Sequence, residues 1–236
     1  MTVHILVTGT SRGIGRAIVE RLAGEDARVV GHATRGTGAA TIGADLGDPA
    51  AATALWEEAL ARLDGRIDVL VNNAGIFEDA PINQDDAAWS AAWARTMQIN
   101  LTASAELSRH AVLHFRTHGG GRIVNVASRA AYRGDSPAHW AYAASKAGMI
   151  GVTKTIARGY AAEAIYAYAV CPGFTLTGMA EDYLASRGGE TLLADIPLGR
   201  VATPEEVAET VKFLALDAPP SMTGAVLDIN GASYVR

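Results

Sequence analysis

Tyr142 and Lys146 stand four residues apart in Tyr142-Ala143-Ala144-Ser145-Lys146. On a helix that spacing puts both side chains on one face, so a phenol and an ammonium project into the same space. A free tyrosine ionises at about pH 10, too high for easy proton exchange near neutrality. A neighbouring cation favours the phenolate and lowers that value. The expected product is an acid/base that can give a proton to a carbonyl oxygen or take one from an alcohol. Tyr and Lys fall four apart by chance in many helices, so the pair gains its weight from what precedes it.

Upstream runs Thr8-Gly9-Thr10-Ser11-Arg12-Gly13-Ile14-Gly15. It follows the apolar run Val3-His4-Ile5-Leu6-Val7, which reads as a buried strand. It precedes Arg16 to Ala23, where Ala17, Ile18, Leu22 and Ala23 recur at helical spacing. Strand, glycine-rich turn and helix make the context a dinucleotide site requires. Glycines let the backbone approach a pyrophosphate, and the helix N-terminus offers unpaired N–H groups and a positive dipole end. The spacing is Gly-x3-Gly-x-Gly, not the commoner Gly-x-Gly-x2-Gly, and glycines also close tight turns that bind nothing.

Positioning such groups takes a sizeable scaffold. The chain has 236 residues, 49% of them apolar, and no linker, charge run or repeat divides it, so one domain over 1–236 is expected. Strands are expected near 3–7, 27–33, 40–45, 67–71, 121–127, 165–171 and 225–229. Helices alternate with them, which predicts an α/β fold: a doubly wound parallel sheet with helices on both faces. Asp48-Pro49 reads as an N-cap and first helical residue opening a helix to about Leu63. Thr203-Pro204-Glu205-Glu206 reads as a capping box opening a helix through Leu216. Such sheets bind ligands beyond the carboxyl ends of their strands, so Gly9, Asn73, Ser128 and Pro172 should share one rim. The net charge of −5 comes without a basic cluster and favours neither nucleic acid nor an anionic membrane. No apolar stretch approaches the ~20 residues of a membrane helix, and the N-terminus enters a strand without a secretory pattern. The sole cysteine, Cys171, has no partner for an internal disulfide and suits buried packing; a cytoplasmic location is expected.

The chain resembles the short-chain dehydrogenase/reductase family. The matching pieces are Thr8-Gly9-x3-Gly13-x-Gly15, Asn72-Asn73-Ala74-Gly75, Asn100, Ser128, Tyr142-x3-Lys146, Pro172-Gly173 with Thr177, and Pro197-Leu198-Gly199-Arg200. They occur in the family's order across nearly the whole chain. The resemblance implies one Rossmann-like domain of about seven strands and hydride transfer between a nicotinamide and a carbonyl or alcohol carbon. It places Gly9, Ser11, Arg12, Gly13, Ile14 and Gly15 against the dinucleotide. Asn73, Ala74 and Gly75 would support the central strand and line the adenosine half. Asp45 and Leu46 would sit beside the adenine, although Asp45 could instead cap a turn. Pro172, Gly173, Thr175 and Thr177 would hold the nicotinamide end. In the chemistry, Ser128 would donate a hydrogen bond to the substrate oxygen and Tyr142 would transfer the proton. Lys146 would lower the tyrosine's pKa and hold the nicotinamide ribose, and Asn100 would anchor a water relaying protons to Lys146. An asparagine inside a helical region is otherwise unfavourable, which singles out Asn100 independently.

NAD-binding relatives usually carry a carboxylate at the exit of the second strand. Here Ala33 stands at that exit and no acid follows until Asp45. Thr34, Arg35 and Arg12 can supply a hydroxyl and positive charge to a 2′-phosphate, so NADP(H) is favoured over NAD(H). The alternative is that both arginines are solvated loop residues.

His110, His114 and His118 recur every four residues, a spacing that can gather imidazoles around a metal. With no Cys or carboxylate to match, surface or subunit contacts are favoured and no metal is expected. Phe77, Arg133, His139, Trp140, Met179 and Tyr183 occupy loops near the rim, where they either touch substrate or only pack. A substrate flap is expected near 178–196. Asp228-Ile229-Asn230-Gly231-Ala232 departs from the relatives' usual Val-Asp-Gly-Gly, in a segment that often lies at subunit contacts. Tyr168 replaces a frequent asparagine. The chain is similar to the 3-oxoacyl-carrier-protein reductases, yet positions that are basic there are Gly119 and Glu163 here. The functions in play are therefore reduction of a small ketone or aldehyde, reduction of a 3-oxoacyl thioester, and a catalytically silent dinucleotide-binding regulator. The family's usual homotetramer or homodimer would form through the helix carrying Tyr142 and the preceding long helix. Ala143, Ala144, Ala147 and Gly148 suit such close contact.

Overall fold

Along the first strand, Ile5 and Val7 face one core while Leu6 faces the other, the two-residue period of an extended chain. The structure, a computed structural model, describes residues 2–36, 38–176 and 189–236. The strands are β1 (Val3–Val7), β2 (Ala27–Ala33), β3 (Thr41–Gly43), β4 (Val69–Asn72), β5 (Gly121–Val126), β6 (Ile165–Pro172) and β7 (Val226–Ile229). They form one parallel sheet in the order β3-β2-β1-β4-β5-β6-β7. The helices are α1 (Gly13–Leu22), α2 (Ala51–Arg62), α3 (Asp86–Met97), α4 (Ala103–Thr117), α5 (Ala130–Arg133), α6 (Trp140–Tyr160), α7 (Gly189–Ala194) and α8 (Pro204–Lys212).

Strands that are apolar on both faces must be covered on both. Val71, Val124, Tyr168 and Val170 join Ile5 under α1 and α8, which contribute Ile18, Leu22, Val207 and Val211. Leu70, Ile123 and Ala167 join Leu6 under α2, α4 and α6, which contribute Leu55, Trp56, Leu107, Phe115 and Ile156. The strand order runs outward in opposite senses from the β1–β4 pair, so the carboxyl ends of these two strands flank the switch point where such sheets bind ligands.

The Thr203 capping box forms as expected: Thr203 Oγ1 accepts from the Glu206 N–H (3.3 Å) and Glu206 Oε2 from the Thr203 N–H (2.8 Å). α8 then runs into a wider π-helical turn over Phe213–Asp217. The helix expected to start at Asp48-Pro49 opens only at Ala51. Asp48 spends its carboxylate on the Ala50 N–H (2.9 Å) and its carbonyl on the Ala51 N–H (3.0 Å), making a turn before the helix. Among the described residues, no helix is long and apolar enough to cross a membrane.

Candidate active site

The glycine turn leaves β1 with Gly9 at φ +71°, a conformation a side chain disfavours. A Cβ on Gly9 would stand 2.8 Å from the Ala74 Cα, and one on Gly15 would collide with the Gly9 carbonyl. The turn therefore packs directly on the segment leaving β4. Thr8 and Asn73 bolt the two together. Thr8 Oγ1 accepts from the N–H groups of Asn73 (3.0 Å) and Ala74 (2.9 Å), and Asn73 Nδ2 donates to the carbonyls of Thr8 (2.9 Å) and Gly9 (3.0 Å). Arg12, at the N-cap of α1, provides no side-chain cap, so the first N–H groups of that helix are left for a ligand. This cradle fits a dinucleotide pyrophosphate.

His32 is a residue that the sequence reading missed. It is buried on β2, accepts at Nδ1 from the Gly9 N–H (3.3 Å) and donates from Nε2 to the Ala44 carbonyl (2.9 Å). It thereby ties the glycine turn to the exit of β3. Burial lowers its pKa, opposed by the Ala44 hydrogen bond and Asp45, which keeps the neutral form that these two bonds need. The one signal in the sequence is a histidine in an apolar strand.

Beyond β2, Thr34 and Arg35 are exposed, as is Arg12, and neither arginine has a carboxylate partner among the described residues. Asp45 Oδ1 accepts from the Gly47 N–H (2.9 Å), the turn-capping alternative, while Leu46 is buried in the core.

Ser128, Tyr142, Lys146 and Asn100 come together at the carboxyl ends of β4 and β5. Ser128 Oγ accepts from the Ala130 N–H (3.1 Å) and lies near enough to the Tyr142 hydroxyl to favour its ionised form. Lys146 is buried, with Nζ 5.8 Å from the centre of the Tyr142 ring and donating to the Val126 carbonyl (2.8 Å). Asn100 is fully buried within a π-helical turn (Gln98–Thr102) that joins α3 to α4. Its Oδ1 accepts from the Ile76 N–H (2.8 Å), and its Nδ2 donates to the Ile76 carbonyl (2.9 Å) and Ser145 Oγ (3.2 Å). Single π turns inside α-helices often mark functional sites. A Cβ on Gly75 would stand 3.3 Å from Asn100 Oδ1 and 3.4 Å from Lys146 Nζ, so these two groups line one small space.

The expected lowering of the Tyr142 pKa is not found. Burial pushes the phenol up, opposed by the Ser128 hydrogen bond. Burial also brings Lys146 down to about 8. The helical spacing places the pair on one face, but burial is the largest influence on both groups.

At the nicotinamide end, Gly173 lies against Asn230, whose Cα would be 2.9 Å from a Cβ there, and the Gly173 N–H donates to the Ile229 carbonyl (2.9 Å). The departing segment Asp228–Ala232 thus backs the turn expected to meet the nicotinamide. Thr175 is buried and pairs with Ala202, while Thr177, Met179, Tyr183 and the first part of the expected flap lie outside the described residues. Phe77 stacks on His139 (3.7 Å between ring centres) and meets Tyr142 edge-on (4.8 Å). His139 is held by Ser136 Oγ (2.6 Å) and Asp79 (2.9 Å). Trp140 instead turns outward toward Trp89, and Arg133 pairs with Asp195 (2.7 Å).

The histidine row packs on the scaffold. His110 contacts Thr53 and stacks on Trp56, His114 accepts from the Ile67 N–H (3.2 Å), and His118 stacks on His114. Cys171 is buried with Ala127 and Ile150, and burial pushes its thiol up to about 11. Gly148 does not face outward: a Cβ there would lie 2.6 Å from Leu101 of the same chain. Ala144 and Ala147 are exposed.

Residues 9–232 match a family model described as enoyl-(acyl carrier protein) reductase. The chain is 37% identical to a 3-oxoacyl-(acyl-carrier-protein) reductase of Haemophilus influenzae, over 98% of this chain and 97% of that one. It is 38% identical to a cis-4-hydroxycyclohexanecarboxylate dehydrogenase of Sinomonas cyclohexanicum, over 96% and 94%. A crystal structure from Beutenbergia cavernae, described as that of an NAD(P)-dependent gluconate 5-dehydrogenase with NADP bound at low occupancy, superposes with a TM-score of 0.87. It is 34% identical and covers 98% of this chain and 96% of that one.

Proposed function

We propose that this chain, which belongs to the short-chain dehydrogenase/reductase family, is an NADP(H)-dependent oxidoreductase that interconverts a small ketone or aldehyde with its alcohol. The observation that carries this reading is the hydroxyl pair of Ser128 and Tyr142 beside a buried Lys146 ammonium, on the rim where the glycine turn lies. The bound dinucleotide supplies the hydride. Gly9, Ser11, Arg12, Gly13, Ile14 and Gly15 hold its pyrophosphate, and Pro172, Gly173 and Thr175 back its nicotinamide. Ser128 donates to the substrate oxygen, where negative charge develops during reduction. Tyr142 delivers the proton to that oxygen, and in the reverse direction it takes the alcohol proton. Asn100 and Lys146 line the space through which the tyrosine is reprotonated. Tyr142→Phe is expected to leave NADPH binding near wild type and to lower turnover by about 10²–10⁴-fold. Near-normal turnover in that variant removes Tyr142 from the role.

The preference for NADP(H) rests on Arg12 and Arg35, exposed and without carboxylate partners among the described residues, with Ala33 where an acid would repel a 2′-phosphate. Comparing kcat/KM for NADPH and NADH tests it, and a clear NADH preference defeats it. The names of two relatives, a cis-4-hydroxycyclohexanecarboxylate dehydrogenase and a gluconate 5-dehydrogenase, support a free small molecule as substrate. A second reading, reduction of a 3-oxoacyl thioester, is favoured by the identity to the carrier-protein reductases. Against carrier docking, Glu163 is acidic and paired with Arg116 (2.6 Å). Faster turnover of acetoacetyl-CoA than of free ketones would select that second reading. The protein is read as cytoplasmic, with no nucleic-acid or membrane partner. It is also read as a homotetramer or homodimer built on α4 and α6, where Leu113, Ala144 and Ala147 are exposed.

A further inference from the structure

We propose that Arg129 is an anion-binding residue of the substrate cleft, and that the substrate carries a carboxylate set apart from its reacting carbon. The inference rests on the reading of Ser128 and Tyr142 as the groups at the reacting oxygen. Arg129 directly follows Ser128, and its backbone N–H donates to the Pro172 carbonyl (3.0 Å), fixing it between the ends of β5 and β6. Its guanidinium lies over the Phe174 ring, 5.0 Å from the centre, on the turn that backs the nicotinamide end. The residue is only 9% exposed, and Nη1 is buried without a hydrogen-bond partner among the described residues.

The surroundings do not satisfy this cation. Asp195 stands 3.6 Å from Arg129 Nη1 but makes its close contact, 2.7 Å, with Arg133 Nη1. Asp135 adds a more distant charge and commits one oxygen to the Ser136 N–H (2.8 Å). Burial lowers the Arg129 pKa, but a guanidinium stays protonated at any ordinary pH. A buried charged donor left unmatched is unfavourable, and packing on Phe174 alone would be met as well by an apolar side chain. A carboxylate from a ligand resolves the mismatch: it accepts from Arg129 Nη1 while Asp195 keeps Arg133. One guanidinium with Asp195 already nearby and Asp135 farther off suits a single negative charge better than a phosphate dianion. Because Arg129 directly follows Ser128 at the end of β5, the anion and the carbonyl are taken to belong to one small oxo acid.

The probes are 4-oxocyclohexanecarboxylate and its methyl ester, which differ in the anion alone. The readout is the acid-to-ester ratio of kcat/KM, which cancels losses common to both. Wild type should favour the acid by about 10–100-fold, the worth of one charge-assisted hydrogen bond to a buried group. Arg129→Gln should collapse the ratio toward one, chiefly through KM of the acid. Arg129→Lys, which keeps the charge if the Gln variant fails to fold, should retain only part of it. Asp195→Asn should raise the ratio by removing the competing carboxylate. Equal use of acid and ester by wild type, turnover confined to neutral carbonyls, or an unchanged ratio in Arg129→Gln overturns the inference and leaves the proposed function standing. Silence toward both probes and a broad carbonyl panel, with NADPH and with NADH, overturns the proposed function and this inference with it.

Discussion

Thr8→Val keeps the shape of the side chain and removes one oxygen, and that oxygen holds the two halves of the cofactor cradle together. In the structure it accepts from two backbone N–H groups, those of Asn73 (3.0 Å) and Ala74 (2.9 Å), at a site with almost no solvent. In the valine variant neither donor has an acceptor and water does not reach them. Each orphaned group costs about 1–3 kcal/mol, so the variant should lose about 2–6 kcal/mol. For a chain of this size each kcal/mol moves the melting temperature by about 2–4 °C, which predicts a fall of roughly 4–24 °C. Thermal melts of wild type, Thr8→Val and Thr8→Ser measure the shift and urea melts the energy, with the serine variant keeping the oxygen and most of the stability. Because Gly9 rests on Ala74, NADPH should also bind more weakly to the valine variant, as read by fluorescence titration. Stability of Thr8→Val within about 0.5 kcal/mol of wild type would refute the reasoning, since valine cannot supply the missing acceptor.

His32 and His114 both have pKa values lowered below the ordinary 6.5 by burial, so below that pH the unfolded chain takes up protons that the folded chain refuses. Stability should therefore fall as pH drops through 6.5. The His32→Asn variant, whose amide can still accept and donate, should show a shallower fall in urea melts at pH 8, 6.5 and 5, and an identical slope would count against His32. Tyr168 is fully buried with a hydroxyl that has no partner among the described residues, so Tyr168→Phe should hold or raise the melting temperature; a clear drop would reveal a bond to that hydroxyl. Lys146 loses its proton as pH rises past about 8. Turnover in the reducing direction should decline there at saturating NADPH, and a flat profile to pH 10 would free the reaction from that charge.

What could be read from the sequence were features whose cause is local. The glycine turn follows from one strand, one helix and three glycines. The Thr203–Glu206 box closes within four residues, and Tyr142 and Lys146 share a face because of helical pitch alone. What escaped depends on contacts distant in the chain. His32 meets Gly9 only because β2 pairs with β1 in a register that sets Leu6 beside Val30. Gly148 looked like a surface for a second subunit until Leu101, from the π-helical turn, filled its space. Asp48 carried a valid capping signal, but its carboxylate was taken by the nearer Ala50 N–H. Local signals thus named the right groups and missed their allocation, since one acceptor or one gap serves whichever partner the tertiary structure brings first.

The same distinction governs the charges at the site. Pitch sets how close an ammonium and a phenol come, but how much water remains around each is set by the sheet, by Phe77 against the ring and by Val126 under the lysine. Burial favours the neutral form of both groups, raising one pKa and lowering the other. A phenol raised in this way is a weak acid until charge develops beside it. In the proposed reduction that charge would arise on the substrate oxygen, next to Ser128 and Tyr142. The protonated Lys146 would then offset the phenolate left behind, in a medium where water screens little. A neutral phenol beside the Lys146 cation is therefore compatible with proton transfer, because the cation and the hydroxyls are already in place when the reaction creates the charge they stabilise.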